Sequence, residues 1–255
     1  MSTDTTTDPS KDFLFIVTGF GPFNGIPENP TSIISRELPG YLRQRAAESS
    51  DDSILSTLAK CTETMIIETS AQAVRREIAA LQEKLKDFSS AIVLHLGVEG
   101  RAKRFHLESC AYNDATFRVP DEQGFQPTKT PILDTCSVGS TLTSSFDVPA
   151  LVQMLNQTLS ISTDDPLANP STDPGRFVCN YIYCTSMDAF ACAKTINGTN
   201  VNDPDPPRVQ SLFLHVPPFA SIPKEEQLVF VTELMRALYL QKKPQTFATA
   251  VASPM

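Results

Sequence analysis

The sequence contains no apolar run near the roughly 18 residues that a membrane-spanning helix needs. Its polar opening, residues 1–11, also lacks the basic, apolar and small-residue order of a signal peptide. No membrane partner is expected, and the expected compartment is cytoplasmic. Basic residues are scarce as well: 21 Lys and Arg against 29 Asp and Glu give a net charge of −8, which repels phosphate and argues against nucleic acid as a partner. The six cysteines, at 61, 110, 136, 179, 184 and 192, form no CxxC pair and no Cys/His spacing of a zinc site. No metal is expected, and a chain of 255 residues buries a core without disulfide staples, so these are read as free thiols. Without a repeat or a break in composition, one domain is expected over 12–241, between disordered tails at 1–11 and 242–255. Nothing here sets the oligomeric state.

What the chain does contain is a succession of short apolar segments. Phe13-Leu14-Phe15-Ile16-Val17 has the continuous apolar pattern of a strand covered on both faces. It runs into Gly19-Phe20-Gly21-Pro22-Phe23-Asn24-Gly25, which is a poor dinucleotide loop: the third glycine falls one position late, and Pro22 blocks close approach of a phosphate. A short helix over 31–38 stopped by Pro39, an exposed acidic loop over 48–53 and a strand over 64–67 are expected next. Val74, Ile78, Leu81 and Leu85 recur at helical spacing after a Thr69/Ser70 cap, predicting an amphipathic crossover helix. Residues 91–97 return as a buried strand that closes a right-handed βαβ unit, with His95 as a hydrogen-bonded core histidine. Residues 105–112 alternate as one strand, placing His106, Glu108, Cys110 and Tyr112 on one face. Residues 120–145 read as an irregular or hairpin excursion, Asp147 as the cap of a helix through Leu155, and 159–163 as a short strand. The Pro-, Asp- and Asn-rich stretches 164–171 and 196–207 read as exposed loops, either solvated insertions or lids. A last helix over 224–240 closes the domain. The fold class is α/β: a twisted, largely parallel central sheet with helices on both faces.

Reactive chemistry is concentrated in two places. Pro174-Gly175 breaks regular structure just before Phe177, Val178, Tyr181 and Ile182 take up helical spacing, which sets Cys179 in the first turn of a helix. Free backbone N–H groups and the helix dipole there favour a thiolate and suit the oxyanion of an acyl-transfer intermediate. By residue statistics alone, Cys179 serves equally well as a small core hydrophobe. The partner base is His215, at the end of the apolar stretch Ser211-Leu212-Phe213-Leu214-His215-Val216 and just before Pro217 turns the chain. Glu108, in a weakly charged strand, is costly to bury unless it pairs with a protonated His215; the alternative is an edge-strand carboxylate facing water.

Five segments, Thr18-Gly19-Phe20-Gly21-Pro22-Phe23, Glu28-Asn29-Pro30-Thr31-Ser32, Leu107-Glu108-Ser109-Cys110-Ala111-Tyr112-Asn113, Gly175-Arg176-Phe177-Val178-Cys179-Asn180 and Phe213-Leu214-His215-Val216-Pro217, follow one another as the signatures of one known family do. The chain resembles the pyroglutamyl peptidase I family of cysteine peptidases from about residue 13 to 240, and its run at 115–124 resembles plant and other eukaryotic members. The resemblance implies removal of an N-terminal pyroglutamate from peptides, a Cys179–His215–Glu108 triad and no cofactor. It also implies a substrate pocket built from Phe20, Phe23, Asn29, Phe177 and Val178. An arginine that orients the site in bacterial members corresponds to either Arg101 or Arg104. The same residues on their own admit another cysteine amidase or acyltransferase, or a binding protein that captures pyroglutamyl peptides without turnover.

Overall fold

The computed structural model describes residues 12–25, 28–49, 51–159, 166–197, 199–200 and 207–242. In chain order the elements are β1 (Phe13–Phe20), α1 (Pro30–Glu48), α2 (Ser53–Cys61), β2 (Thr62–Ile67), α3 (Ala71–Lys84), β3 (Ser90–Val98), β4 (Phe105–Glu108), β5 (Cys110–Tyr112), β6 (Thr141–Ser144), α4 (Val148–Thr158), β7 (Ala168–Ser171), α5 (Val178–Ala189), β8 (Ala193–Ile196), β9 (Thr199–Asn200), β10 (Val209–Val216) and α6 (Lys224–Lys242). Six strands form the central sheet in the order β2-β1-β3-β10-β4-β7. The first four run parallel, β4 is antiparallel to β10, and β7 is parallel to β4. A small antiparallel sheet, β5-β6-β8-β9, stands beside it.

Alternation along the strands divides the core in two. Phe15, Val17, Leu94, Leu96, Leu212 and Leu214 face the helices α1, α2, α4 and α6. Ile16, Val93 and Phe213 face the other way, toward α3 and α5. Burial on both faces explains why β1, β3 and β10 read as unbroken apolar runs. This is the single α/β domain with helices on both faces that the sequence pattern predicts. Among the described residues, no helix is long and apolar enough to cross a membrane. The tails expected at 1–11 and beyond 242, and most of the strand expected at 159–163, lie outside the described residues.

Four expectations are corrected. The first helix does not stop at Pro39: α1 continues to Glu48 with Pro39 inside it. An interior proline costs about 3 kcal/mol, but Ile34, Leu38 and Leu42, all fully buried on one stripe, offset it at roughly 1.5–3 kcal/mol each. The acidic loop is shorter than expected because Asp52 caps α2, accepting a hydrogen bond from the Leu55 N–H at 2.9 Å. The predicted strand over 105–112 breaks at Ser109, whose N–H donates to Ser171 O while its carbonyl accepts from the Ser144 N–H, so the chain passes from one sheet to the other. Finally, part of the loop expected at 164–171 is the edge strand β7; it contains Pro170, which an edge position tolerates.

Gly19 shows how closely the first layer packs. A Cβ placed there falls onto the Thr31 backbone carbonyl and the Ser35 hydroxyl of α1. Gly19→Ala is expected to lower stability by about 1–3 kcal/mol, the usual effect of overpacking. A urea midpoint equal to that of the unsubstituted protein would contradict this.

Candidate active site

Strand β10 delivers His215 near its C-terminal end, where Pro217 turns the chain. In the antiparallel register with β4, Phe213 lies opposite Glu108 and His215 opposite His106, so His215 and Glu108 are diagonal neighbours on one face. The His215 Nδ1 is 2.7 Å from Glu108 Oε1, and the two residues are only 7% and 1% exposed. The second carboxylate oxygen, Oε2, has no hydrogen-bond partner among the described residues. The expectation that Glu108 faces inward and pairs with His215 agrees with this geometry.

Helix α5 brings the thiol. Cys179 occupies its first turn after Phe177, and the first intrahelical bond runs from the Tyr181 N–H to Phe177 O. Side chains of Asn29, Asp52, Ser70 and Asp147 cap α1 to α4, whereas no side chain caps α5. The N–H groups at its start are therefore not taken up by a capping side chain. Two buried polar residues dock the helix: Asn180 accepts from the Tyr112 N–H and donates to the carbonyls of Tyr112 and Asp114, while Tyr183 donates its hydroxyl to Glu108 O at 3.0 Å. Arg176, stacked 3.7 Å over the Tyr112 ring and paired with Asp173 at 2.9 Å, braces the loop ahead of Cys179.

Gly97 lets the thiol reach the sheet. It lies beside His215 in the β3–β10 register, and a Cβ there would stand 2.9 Å from Cys179 Sγ and 2.6 Å from the Phe213 ring. Burial by itself presses the His215 imidazole toward neutrality. Hydrogen bonds to Cys179 and Glu108, and their negative charge, outweigh that and raise its pKa to about 10. The imidazole is thus favoured in its charged form. Elsewhere burial works against ionisation: it pushes the Cys61 thiol up to about 11 and also raises Cys110, Cys184 and Cys192. All six cysteines are free. Cys192 lies just past the end of α5.

The remaining sequence candidates fall in three places. Phe23 and Phe177, the latter two residues before Cys179 in the chain, meet with ring centres 5.1 Å apart and form one wall. Phe20 and Val178 are buried in the α3/α5 core, and Asn29 caps α1 while donating to Gly21 O at 3.3 Å. Arg101 and Arg104 line a separate cleft with Glu99 and His106 at the ends of β4 and β7. His95 is fully buried and held neutral, its pKa driven down to about 3 by desolvation; Nδ1 meets the Thr18 hydroxyl at 2.8 Å, but Nε2 has no partner among the described residues. The core assignment for His95 agrees with this, although only half of its hydrogen bonding is satisfied.

Two contributors escape sequence reasoning. Phe117 packs edge-on to Phe177 at 4.6 Å and extends the aromatic wall, yet it lies in an aperiodic excursion that offers no pattern to read. Gly97 looks like any glycine at a strand end; only the approach of α5 gives it a role.

The sequence matches the model of the pyroglutamyl peptidase family over residues 14–227. It is 24% identical over 203 residues to the pyrrolidone-carboxylate peptidase of Bacillus cytotoxicus, covering 79% of this chain and 83% of that protein. It is 28% identical over 167 residues to the pyrrolidone-carboxylate peptidase of Streptococcus pyogenes serotype M5, covering 66% of each. The fold is similar to that of pyrrolidone carboxyl peptidase from Thermus thermophilus, with 22% identity, a TM-score of 0.63, and coverage of 88% of this chain and 99% of that one. The Fervidobacterium islandicum enzyme superposes at a TM-score of 0.64 with 22% identity, over 90% and 99% of the two chains.

Gly97→Ala should push the Cys179 sulfur off the sheet and slow its alkylation by iodoacetamide at least about tenfold, because small displacements of a reacting atom are costly. Cys136, a partly buried thiol that accepts a hydrogen bond from the Asn113 side chain, serves as the internal reference. An unchanged ratio of the two labelling rates would show that α5 accommodates the methyl group.

Proposed function

We propose that this chain, which belongs to the pyroglutamyl peptidase family, hydrolyses the amide bond that follows an N-terminal pyroglutamyl residue, with Cys179, His215 and Glu108 carrying the reaction. The observation that carries the residue assignment is the buried Glu108–His215 pair with Cys179 hydrogen-bonded to the imidazole. The Cys179 thiolate attacks the pyroglutamyl carbonyl carbon, and its electron pair forms the C–S bond as the carbonyl oxygen takes up negative charge. The N–H groups at the start of α5, which no side chain caps, suit such an oxyanion. The His215 imidazolium then gives its proton to the departing amine, leaving a thioester and a neutral imidazole. Water, deprotonated by His215, attacks the thioester and releases pyroglutamate and the thiolate. Glu108 holds the ring orientation and stabilises its charged form.

The pocket reading rests on chemistry. A wall of Phe23, Phe177 and Phe117 suits a flat, neutral lactam and disfavours a free ammonium that it cannot hydrate. Six free thiols fit a reducing, cytoplasmic setting.

The deciding experiment compares kcat/KM for pyroglutamyl, prolyl and glutaminyl amides on one fluorogenic leaving group. A site that hydrogen-bonds the lactam should favour the pyroglutamyl amide by about ten-thousand-fold. Comparable values for the prolyl amide would overturn the substrate assignment.

Charge on His215 makes a second prediction. The imidazolium donates the proton, so kcat/KM should hold on the alkaline side until the His215 pKa, about 10, rather than failing near the ordinary histidine value. Glu108→Gln removes a charge that raises this pKa, so the alkaline limb should move to lower pH while kcat falls roughly ten- to ten-thousand-fold with little change in KM. An alkaline limb that stays in place in the variant would mean that Glu108 does not set the charge of His215.

A further inference from the structure

The aromatic wall is assembled from three separate segments. Phe177 stands at the start of α5, Phe23 comes from the turn after β1, and Phe117 comes from the excursion between β5 and β6. Helix α5 is docked on the sheet, so Phe177 has a fixed place. The other two rings depend on how their loops are held.

The excursion folds back on itself as an arm. Ala115 pairs with Thr130, the Phe117 N–H donates to Pro127 O at 2.9 Å, and the Asp121 N–H donates to Phe125 O at 2.9 Å. At the tip, the buried Asp121 carboxylate accepts from the N–H groups of Gln123 and Phe125 and, at 2.9 Å, from that of Ala71 at the start of α3. The Glu122 N–H adds a bond to Thr69 O at 3.2 Å. Together these bonds seat the tip on the turn between β2 and α3.

So placed, the Glu122 side chain reaches the turn after β1. Its Oε1 accepts the Asn24 N–H at 2.8 Å, one residue after Phe23. Asn24 has φ +51°, a left-handed conformation uncommon in residues other than glycine. On the other side of Phe23, the Gly21 N–H is tied to Ile67 O of β2 at 2.9 Å. Phe23 is therefore held between two fixed points, one on β2 and one on the arm that carries Phe117. A carboxylate accepting from a backbone N–H makes a charge-assisted bond, stronger than a neutral one.

Resting on the pyroglutamyl peptidase reading above, we propose that Glu122 is a positioning residue for substrate selectivity: by holding the Asn24 N–H it keeps the Phe23 ring in the wall that grips a flat lactam. Its own contact is with backbone, and the reacting groups are held by β4, β10 and α5.

Kinetics on pyroglutamyl and prolyl fluorogenic amides test this with Glu122→Ala, Glu122→Gln, Phe23→Ala and the double variant Phe23→Ala with Glu122→Ala. Glu122→Ala should raise KM for the pyroglutamyl amide about three- to tenfold, the usual net worth of one hydrogen bond, with kcat changed by less than about twofold. Its preference for the pyroglutamyl over the prolyl amide in kcat/KM should fall by the same factor. Glu122→Gln retains a carbonyl oxygen for the Asn24 N–H and should stay within about twofold of the unsubstituted protein. In the Phe23→Ala background, adding Glu122→Ala should change KM by less than about twofold, because a residue that acts through Phe23 then has nothing left to position. The alkylation rate of Cys179 relative to Cys136 should be the same in Glu122→Ala as in the unsubstituted protein, which a general loosening of the fold would not allow. A Glu122→Ala KM equal to that of the unsubstituted protein, an equal effect with and without the Phe23 ring, or a glutamine variant as impaired as the alanine one would overturn the assignment while leaving the peptidase intact. Failure of the unsubstituted protein to cleave the pyroglutamyl amide would instead overturn the peptidase reading on which the proposal rests.

Discussion

The arrangement depends on one carboxylate that has almost no contact with water. An unpaired ionised group at the position of Glu108 would cost several kcal/mol, so the fold has to bring a proton donor to it. That requirement is met by the antiparallel turn of β4, the one strand that runs against its neighbour β10 in an otherwise parallel centre. The diagonal placement of His215 follows from that register. The Tyr183 hydroxyl, donating to the Glu108 carbonyl, makes the helix that carries the thiol also the helix that holds the carboxylate's strand.

A second constraint is steric. Helix α5 presses its first turn against the sheet so closely that only a glycine fits beneath the sulfur. Its N-terminus also lacks the side-chain cap that closes the four helices before it. Leaving those N–H groups uncapped sacrifices about 1 kcal/mol of helix stability, by the usual worth of a cap. The docking bonds of Asn180 and Tyr183 offset that loss and keep the site rigid.

Elements whose residues agree locally and globally could be read directly. The apolar runs of β1, β3 and β10, the Ser70 cap of α3 and the Asp147 cap of α4 declare themselves by composition. Reading failed where tertiary packing overrides a local signal. Pro39 announces an end that the buried Ile34–Leu38–Leu42 stripe cancels, and Pro170 looks like loop until its edge position is known. In the site, Cys179, His215 and Glu108 were legible because each has an awkward chemistry for its setting: a thiol in a first turn, a ring at a strand end, a charge in a weakly charged strand. Phe117 and Gly97 were not, since an aromatic in an aperiodic loop and a glycine at a strand end are unremarkable until another element comes against them.

The position of β10 has a consequence for how the protein comes into being. It is the last strand among the described residues, yet it lies in the middle of the sheet, between β3 and β4. During synthesis both of those strands wait with open edges, and Glu108 waits for a partner 107 residues further along. Insertion of the late strand closes both edges and neutralises the carboxylate in one event. The nascent chain is thus exposed to strand-mediated association for most of its synthesis, and in the proposed mechanism Cys179 has no base to pair with until β10 has been made.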